Sequence, residues 1–268
     1  MSHLRVSEIF TSIEGEGPYT GHPTLFVRFF GCNLSCPGFG SANLKAQPVK
    51  ISYDKPETLD DLKDYVFRQG CDSAYSWHPS FKHLAVDYEV DELIEKLKKL
   101  VSECDSAPRI LCFTGGEPLL YGRYFQRLWS ALQNYFETLL IETNGTLPLP
   151  EDLDLKRVSI AYSPKLSNSG EPREKTLKPL DLTDNSYLKF VTDGSDESIA
   201  EIFEYIDFYT QGVVDYSELI QNTYLMPEGA TGSQQRQVMQ RVAAQCLKHG
   251  FLFCARVHVW VYGNSIGT

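Results

Sequence analysis

The chain has no uninterrupted apolar run approaching the ~18 residues that a membrane-crossing helix needs, so a helical membrane protein is excluded. Its opening residues, MSHLRVSEIF, carry neither a basic stretch nor a long apolar one. No secretory signal is therefore expected, and a cytoplasmic location is. Positive charge is in deficit: 25 Lys and Arg stand against 35 Asp and Glu, a net charge of −10. That balance argues against a large nucleic-acid footprint, and neither a nucleic acid nor a membrane is expected as partner. Repeats and low-complexity tracts are also missing. What is present is ordinary globular material, 42 % hydrophobic, 12 % aromatic and 22 % charged over 268 residues. A chain of this length buries roughly three quarters of its unfolded surface, so it needs no disulfide or metal to fold. Seven cysteines remain to be explained. In a reducing compartment they more often ligate metal or catalyse than form disulfides.

Apolar segments with β-branched and aromatic residues, expected as strands, fall at 4–10, 24–30, 109–113, 138–141, 158–161, 187–191, 223–226 and 251–261. Between them, apolar residues recur at helical spacing. Leu93, Ile94, Leu97, Leu100 and Val101 form one stripe, and Phe125, Leu128, Trp129 and Leu132 a second. Ile199, Ile202, Phe203 and Ile206 form a third. Val238, Met239, Val242 and Cys246 form a fourth, opened by Gly232-Ser233 and closed by Gly250. Apolar strands alternating with helices imply a parallel α/β sheet whose chemistry gathers at the carboxyl ends of its strands. One segment, 37–70, breaks the rhythm and reads as an insertion, with a short helical pattern of Leu59, Leu62, Tyr65 and Val66.

Cys32 and Cys36 follow the second strand directly, in FFGCNLSCPG. Three readings are open: buried thiols acting as small hydrophobes, zinc, or an iron–sulfur cluster. Structural zinc favours four ligands, usually in C-x2-C pairs, and no such pair is present. A four-iron cluster held by only three thiolates leaves one iron open to a further ligand. Cys104 and Cys246 sit in helical patterns, and Cys112 and Cys254 in strand patterns, so these four are expected in the core. Cys71 instead follows a glycine in the polar context GCDSAYSW.

With the insertion removed, FFGCNLSC joins GCDSAYSW, and the result resembles the C-x3-C-x2-C motif of the radical S-adenosylmethionine enzymes. It is most similar to their 7-carboxy-7-deazaguanine synthases. The resemblance implies Cys32, Cys36 and Cys71 as cluster ligands, although 34 residues separate the last two. Closing so long a loop adds only about 2 kcal/mol by the logarithmic rule, which a metal-binding energy of order 10 kcal/mol absorbs.

Further segments fit the same family. In Thr114-Gly115-Gly116-Glu117-Pro118, the glycines let backbone pass close to a ligand and Glu117 can accept from an ammonium. The resemblance makes this the segment that holds the amino group of S-adenosylmethionine. It likewise assigns Thr143, Asn144, Ser163 and Lys165 to the cosubstrate's carboxylate and ribose, and Met226 and Glu228 to its adenine and ribose. Ser12-Ile13-Glu14-Gly15-Glu16-Gly17 resembles the S-x-[QE]-G-E-G signature of the synthases, with Glu14 in place of the commoner glutamine, and Arg28 lies twelve residues beyond Glu16. A carboxylate accepts two N–H donors from a pterin edge, and an arginine grips a carboxylate by two parallel bonds. Glu14, Glu16, Arg28 and Gly115 are thus expected at the substrate. They are joined by Arg256, His258, Tyr262 and Asn264 of the C-terminal segment, where strand alternation would place Arg256, His258, Trp260 and Tyr262 on one face. Ser73 is implied as a magnesium ligand.

The implied fold is a trimmed partial (β/α) barrel of the radical S-adenosylmethionine type, one domain over 1–268 with the 37–70 insertion near the cluster. The implied reaction converts 6-carboxy-5,6,7,8-tetrahydropterin to 7-carboxy-7-deazaguanine and ammonia. It uses a [4Fe-4S] cluster, S-adenosyl-L-methionine and Mg²⁺, with an electron donor of flavodoxin or ferredoxin type, in a homodimer. No side chain is expected to act as catalytic acid or base, because the cofactor carries the radical. Two alternatives stand beside it. A glycyl-radical activase of the same superfamily would have no use for Glu16, Arg28 and His258. A non-catalytic metal-binding scaffold is favoured by the displaced third cysteine.

Overall fold

The computed structural model describes residues 3–40, 56–63, 65, 67, 69–211, 215–263 and 265–267. The apolar segments become strands β1 (His3–Ile13), β2 (Pro23–Phe29), β3 (Val86–Glu89), β4 (Ile110–Gly115) and β5 (Thr138–Thr143). They continue as β6 (Val158–Tyr162), β7 (Ser186–Thr192), β8 (Thr223–Pro227) and β9 (Leu252–Phe253). All join one open sheet in the order β3-β1-β2-β4-β5-β6-β7-β8-β9. From β2 through β9 the neighbours pair in parallel, as expected for βαβ units. The first edge departs from that pattern, because β1 runs antiparallel to both β2 and β3. The edge strand β3 gave little warning, since Val-Asp-Tyr-Glu is mostly exposed and lacks a buried alternating face.

The helical stripes appear as α1 (Val90–Ser102), α2 (Phe125–Leu132), α4 (Asp196–Thr210) and α6 (Gly232–His249); the short α3 (Arg173–Thr176) and α5 (Tyr216–Gln221) lie between them. Glu89 and Glu92 close a capping box at the start of α1. Thr231 with Gln234 does the same for α6, one residue earlier than the expected Gly232-Ser233 start, and Gly250 ends α6 in the left-handed conformation. The helices bury their stripes against one face of the sheet, where Leu25, Val27, Phe29, Leu111, Phe113 and Ile141 meet Leu93, Leu97, Leu128 and Ile202.

Strand alternation sends the intervening residues to the other, concave face. Phe26, Ile110, Cys112, Leu140, Ala161 and Tyr187 form an apolar floor there. Two residues further along the same strands stand Arg28, Thr114, Glu142 and Lys189, which line a cavity at the carboxyl ends of the strands. The register holds them side by side, with Phe26 opposite Cys112 and Arg28 opposite Thr114.

Three expectations are corrected. The strand expected over 251–261 stops at Phe253, and α7 (Val257–Tyr262) follows. The β-branched residues favour a strand, but β9 is the sheet edge and the amide of Val257 donates instead to Gly15 O at 3.0 Å, drawing the chain across the cavity. Within 59–66 the described residues form only a 3₁₀ turn, Asp60–Leu62, with Leu62 buried and Tyr65 exposed; Val66 lies outside the described residues. Cys112, Cys246 and Cys254 are core residues, whereas Cys104 is half-buried beyond the end of α1, its Sγ donating to Leu100 O.

Candidate active site

One cavity reaches from three thiols at one end to a carboxylate–guanidinium cluster at the other. Cys32, Cys36 and Cys71 all line the first end. Across the 34-residue separation the amide of Gly70 donates to Phe39 O at 2.8 Å, which sets Cys71 beside the loop that follows Cys36. The loop between Cys32 and Cys36 is pinned by Glu171, a residue its sequence context did not single out. One oxygen, Oε1, accepts from the amides of Ser35 at 2.5 Å and Cys36 at 2.8 Å and from Ser35 Oγ at 2.9 Å. Lys175 pairs with the other oxygen at 3.0 Å. Burial pushes the Glu171 carboxyl up, but these donors outweigh it and hold the group below its usual value. Cys36 itself has a left-handed backbone, φ 44°, a costly conformation for a side-chain-bearing residue.

The two glycines of the GGEP segment line the cavity and also serve the packing of the protein. A Cβ on Gly115 would stand 2.2 Å from Phe29 O, and one on Gly116 would stand 2.2 Å from Gly31 O and 2.9 Å from the Cys32 Cβ. They allow the end of β4 to press against the turn that carries Cys32. Glu117 is also corrected: it is fully buried, and its carboxylate accepts from the amides of Leu119 (3.0 Å) and Asn144 (2.8 Å) and from Thr143 Oγ1 (2.8 Å). It ties the end of β4 to the end of β5 and is not among the residues that line the cavity. Thr143 and Asn144 do line it. The side-chain amide of Asn144 points at Cys32 Sγ from 3.9 Å, and the amide of Leu34 from 3.4 Å. Lys165 donates to Ser163 O and Oγ, both at 2.9 Å. Glu228 accepts from Gly40 N at 3.1 Å and Asn168 at 2.9 Å, and Met226 lines the wall beside it.

Burial raises all three thiols, Cys32 to about 12, while the Lys165 ammonium is close enough to each to oppose the shift. Among the described residues no group of three or more His, Cys, Asp or Glu converges on a single metal ion. A four-iron cluster places each thiolate on a different iron and so keeps the sulfurs further apart. Three unpaired thiols on one wall, two N–H groups aimed at one of them and a nearby ammonium fit that group.

At the other end, Glu16 receives Lys189 Nζ, Arg256 Nε at 3.0 Å and, at 4.0 Å, His258 Nε2. Burial opposes its charge, but Lys189 and Arg256 hold the carboxyl well below the usual range. Lys189 also reaches Glu142 at 3.1 Å, and Glu142 accepts from Thr114 Oγ1 at 2.8 Å. Arg256 extends to Asp72 at 2.8 Å, linking the last helix to the residue after Cys71. Asp72 in turn receives Ser73 Oγ at 3.4 Å. Arg28 donates from Nε to Glu8 at 2.7 Å beneath the Tyr75 ring, and Tyr75 OH shares that oxygen. Burial, reinforced by Arg256, pushes His258 down to about 4, so the ring is neutral at pH 7. Lys189 and Glu142 had a signal in the sequence: charged residues inside the apolar strands YLKFV and LLIET are rare unless paired or functional. Of the expected substrate set, Tyr262 is 40 % exposed and lines no part of the cavity, because α7 replaces the strand that would have turned it inward. Asn264 lies outside the described residues.

No family model matches the chain. Full-length relatives do. A protein of Hyperthermus butylicus named 7-carboxy-7-deazaguanine synthase is 29 % identical over 268 residues, covering 96 % of this chain and 92 % of its own. One of the same name from Pyrobaculum aerophilum is 26 % identical, covering 98 % and 97 %. The chain belongs to the 7-carboxy-7-deazaguanine synthase family. The fold agrees: the crystal structure of QueE from Escherichia coli superposes with a TM-score of 0.54 over 95 % of this chain and 94 % of that one, at 17 % identity. The open, mostly parallel sheet is thus the partial barrel expected of this family.

Proposed function

We infer that this chain is a 7-carboxy-7-deazaguanine synthase that converts 6-carboxy-5,6,7,8-tetrahydropterin to 7-carboxy-7-deazaguanine and ammonia. The observation that carries the reading is one cavity with three thiols at one end and Glu16, Arg28 and Arg256 at the other. The thiols suit a cluster, and the ionised groups suit a small molecule bearing both a guanine-like edge and a carboxylate. A glycyl-radical activase, which handles a partner's backbone, has no need of that second set.

We assign Cys32, Cys36 and Cys71 to a [4Fe-4S] cluster. Bound there, the cluster would supply the single electron that reductive cleavage of S-adenosylmethionine needs. The protein's part is placement. Gly116 brings β4 against the Cys32 turn, and Glu117 fixes Thr143 and Asn144 from behind. Thr143, Asn144, Ser163, Lys165, Met226 and Glu228 line the wall between the two ends and are assigned to the cosubstrate. Glu14, Glu16, Arg28, Gly115, Arg256 and His258 are assigned to the substrate.

Charge at the substrate end supports Mg²⁺. The carboxylates Glu8, Glu16, Glu142 and Asp72 are paired with the three cations Arg28, Lys189 and Arg256, leaving one negative charge. A substrate carboxylate would add another, and a divalent cation held by Ser73 Oγ and substrate oxygens would neutralise both. The fold is read as one domain with 37–70 inserted, and the seven unpaired thiols suit a reducing cytoplasm. An electron donor of flavodoxin or ferredoxin type is required. A second copy of the chain is proposed as partner, consistent with exposed Leu252 and Phe253 on the edge strand and exposed Trp260, Val261 and Tyr262 on α7. No described helix is long and apolar enough to cross a membrane.

The test is anaerobic incubation with 6-carboxytetrahydropterin, S-adenosylmethionine, Mg²⁺ and reductant, followed by mass spectrometry. Formation of 7-carboxy-7-deazaguanine is expected. Its absence with an intact cluster would overturn the reading.

A further inference from the structure

We propose that Phe67, carried by the 37–70 excursion, is a positioning residue for the substrate: through Tyr75 it holds the Arg28 guanidinium in the orientation that leaves its terminal nitrogens to the substrate's carboxylate. This deepens the synthase reading and rests on it.

The cations at the substrate end are not equally available. Arg256 gives Nε to Glu16 at 3.0 Å and Nη1 to Asp72 at 2.8 Å. Lys189 is bonded to both Glu16 and Glu142. Arg28 lines the cavity and donates only from Nε, to Glu8 Oε1 at 2.7 Å; its two terminal nitrogens have no hydrogen-bond partner among the described residues. A guanidinium held by Nε still offers a pair of parallel N–H groups, the geometry that grips a carboxylate.

Three contacts fix Arg28 in that pose. Glu8 stands opposite it in the β1–β2 register. The guanidinium carbon lies 5.8 Å from the centre of the Phe10 ring and 5.6 Å from that of Tyr75, both within cation–π reach. Tyr75 OH, 2.7 Å from Glu8 Oε1, shares the oxygen that anchors Arg28. Phe10 is set by its strand and by stacking on Phe26 at 4.9 Å. Tyr75 has no strand to hold it, since it lies in the 3₁₀ turn Ala74–Ser76 that follows Cys71.

What holds Tyr75 comes from the excursion. Phe67, 4 % exposed, stacks on its ring at 6.0 Å and 26°. Phe67 is itself set edge-on against Phe81 at 5.9 Å and against Tyr65 at 4.7 Å. Leu62 of the excursion and Ile266 near the C-terminus complete the same buried cluster. Without the Phe67 ring, Tyr75 and Arg28 gain freedom that the incoming carboxylate must remove, which weakens its binding. A ligand with no carboxylate makes no demand on Arg28 and should not sense the change.

The experiment compares two ligands, 6-carboxytetrahydropterin and tetrahydropterin lacking the carboxyl group. Binding is measured by calorimetry on the anaerobically reconstituted enzyme with S-adenosylmethionine and Mg²⁺ and without reductant. Wild type should prefer the carboxylated ligand. Phe67→Ala and Tyr75→Phe should each cut that preference about tenfold, the size of one desolvated cation–π or charge-assisted contact. Affinity for the uncarboxylated ligand and iron per chain should stay as in wild type. In an Arg28→Met background, Phe67→Ala should have no further effect on the preference, because the contact it acts through is gone. Phe67→Leu keeps apolar volume without a ring face and gives the same reading if the alanine variant does not fold. Equal weakening of both ligands makes Phe67 a packing residue only, and an unchanged preference removes it from the site. Either result, or a wild type that forms product without preferring the carboxylate, overturns the positioning role and leaves the synthase reading standing. A wild type that shows no preference and forms no product overturns both.

Discussion

Replacing Glu171 with alanine should cost this protein its iron while leaving every proposed ligand in place. The side chain holds the loop between Cys32 and Cys36 by accepting two backbone N–H groups and one hydroxyl on a single oxygen. Alanine orphans both amides, at about 1–3 kcal/mol for each buried donor. It also releases a constraint on Cys36, whose left-handed backbone at φ 44° is worth about 1–3 kcal/mol of strain. A net loss of about 2–4 kcal/mol corresponds to a fall in melting temperature of about 5–15 °C for a chain of this size. Strain released by moving Cys36 must be restored when metal binds, so iron affinity should fall roughly tenfold for each 1.4 kcal/mol. Glu171→Gln keeps an acceptor for the amides and loses the ion pair with half-exposed Lys175, worth about 0–1 kcal/mol, so it should retain most of the iron. The assays are iron per chain after anaerobic reconstitution at limiting iron, and a thermal melt of the apoprotein. Because the folded-state carboxyl lies below its unfolded value near 4.5, the stabilisation is complete above that pH and is lost as pH falls through the folded value. The melting gap between wild type and Glu171→Gln should therefore narrow in acid. Full iron and an unchanged melt for Glu171→Ala would refute the reasoning.

Cys71→Ala should abolish iron binding, whereas Cys104→Ala, a change at a half-buried site beyond α1, should leave it intact; iron analysis of both variants decides whether the distant cysteine is a ligand. Gly116→Ala should act like a ligand deletion without removing one, since its Cβ would meet Gly31 O at 2.2 Å; unchanged absorbance of the reconstituted protein would count against the packing role. Lys189→Met leaves half-buried Glu16 and Glu142 without the shared ammonium of buried Lys189, and should lower stability by about 2–4 kcal/mol in denaturant titrations, with partial recovery in the Lys189→Met/Glu142→Gln double variant.

Long periodic elements were legible from the sequence because their periodicity and their burial have one cause. The stripes of α1, α2, α4 and α6, and the strands β2 and β4 to β8, bury most of the residues their patterns marked. The failures came where tertiary partners overrode local preference. Val257–Tyr262 has the composition of a strand but lies beyond the sheet edge, and the amide of Val257 bonds to Gly15 instead. Glu117 and Gly116 were found as part of a motif, yet their tasks were not readable: whether a carboxylate faces a ligand or ties two strand ends depends on which donors surround it. Lys189 and Glu171 carried no motif at all. The first becomes visible only when strand alternation is followed onto the concave face, and the second only when residues 135 and 136 positions apart in the chain meet.

The bond from Gly70 to Phe39 has a bearing on how such chains diverge. It makes the two ends of a long excursion into neighbours, and Tyr65 and Phe67 from within the excursion join the cavity wall beside that junction. Selection on chemistry then acts on the junction and on these two aromatics together. A search pattern written with a fixed three-residue step would pass over this chain.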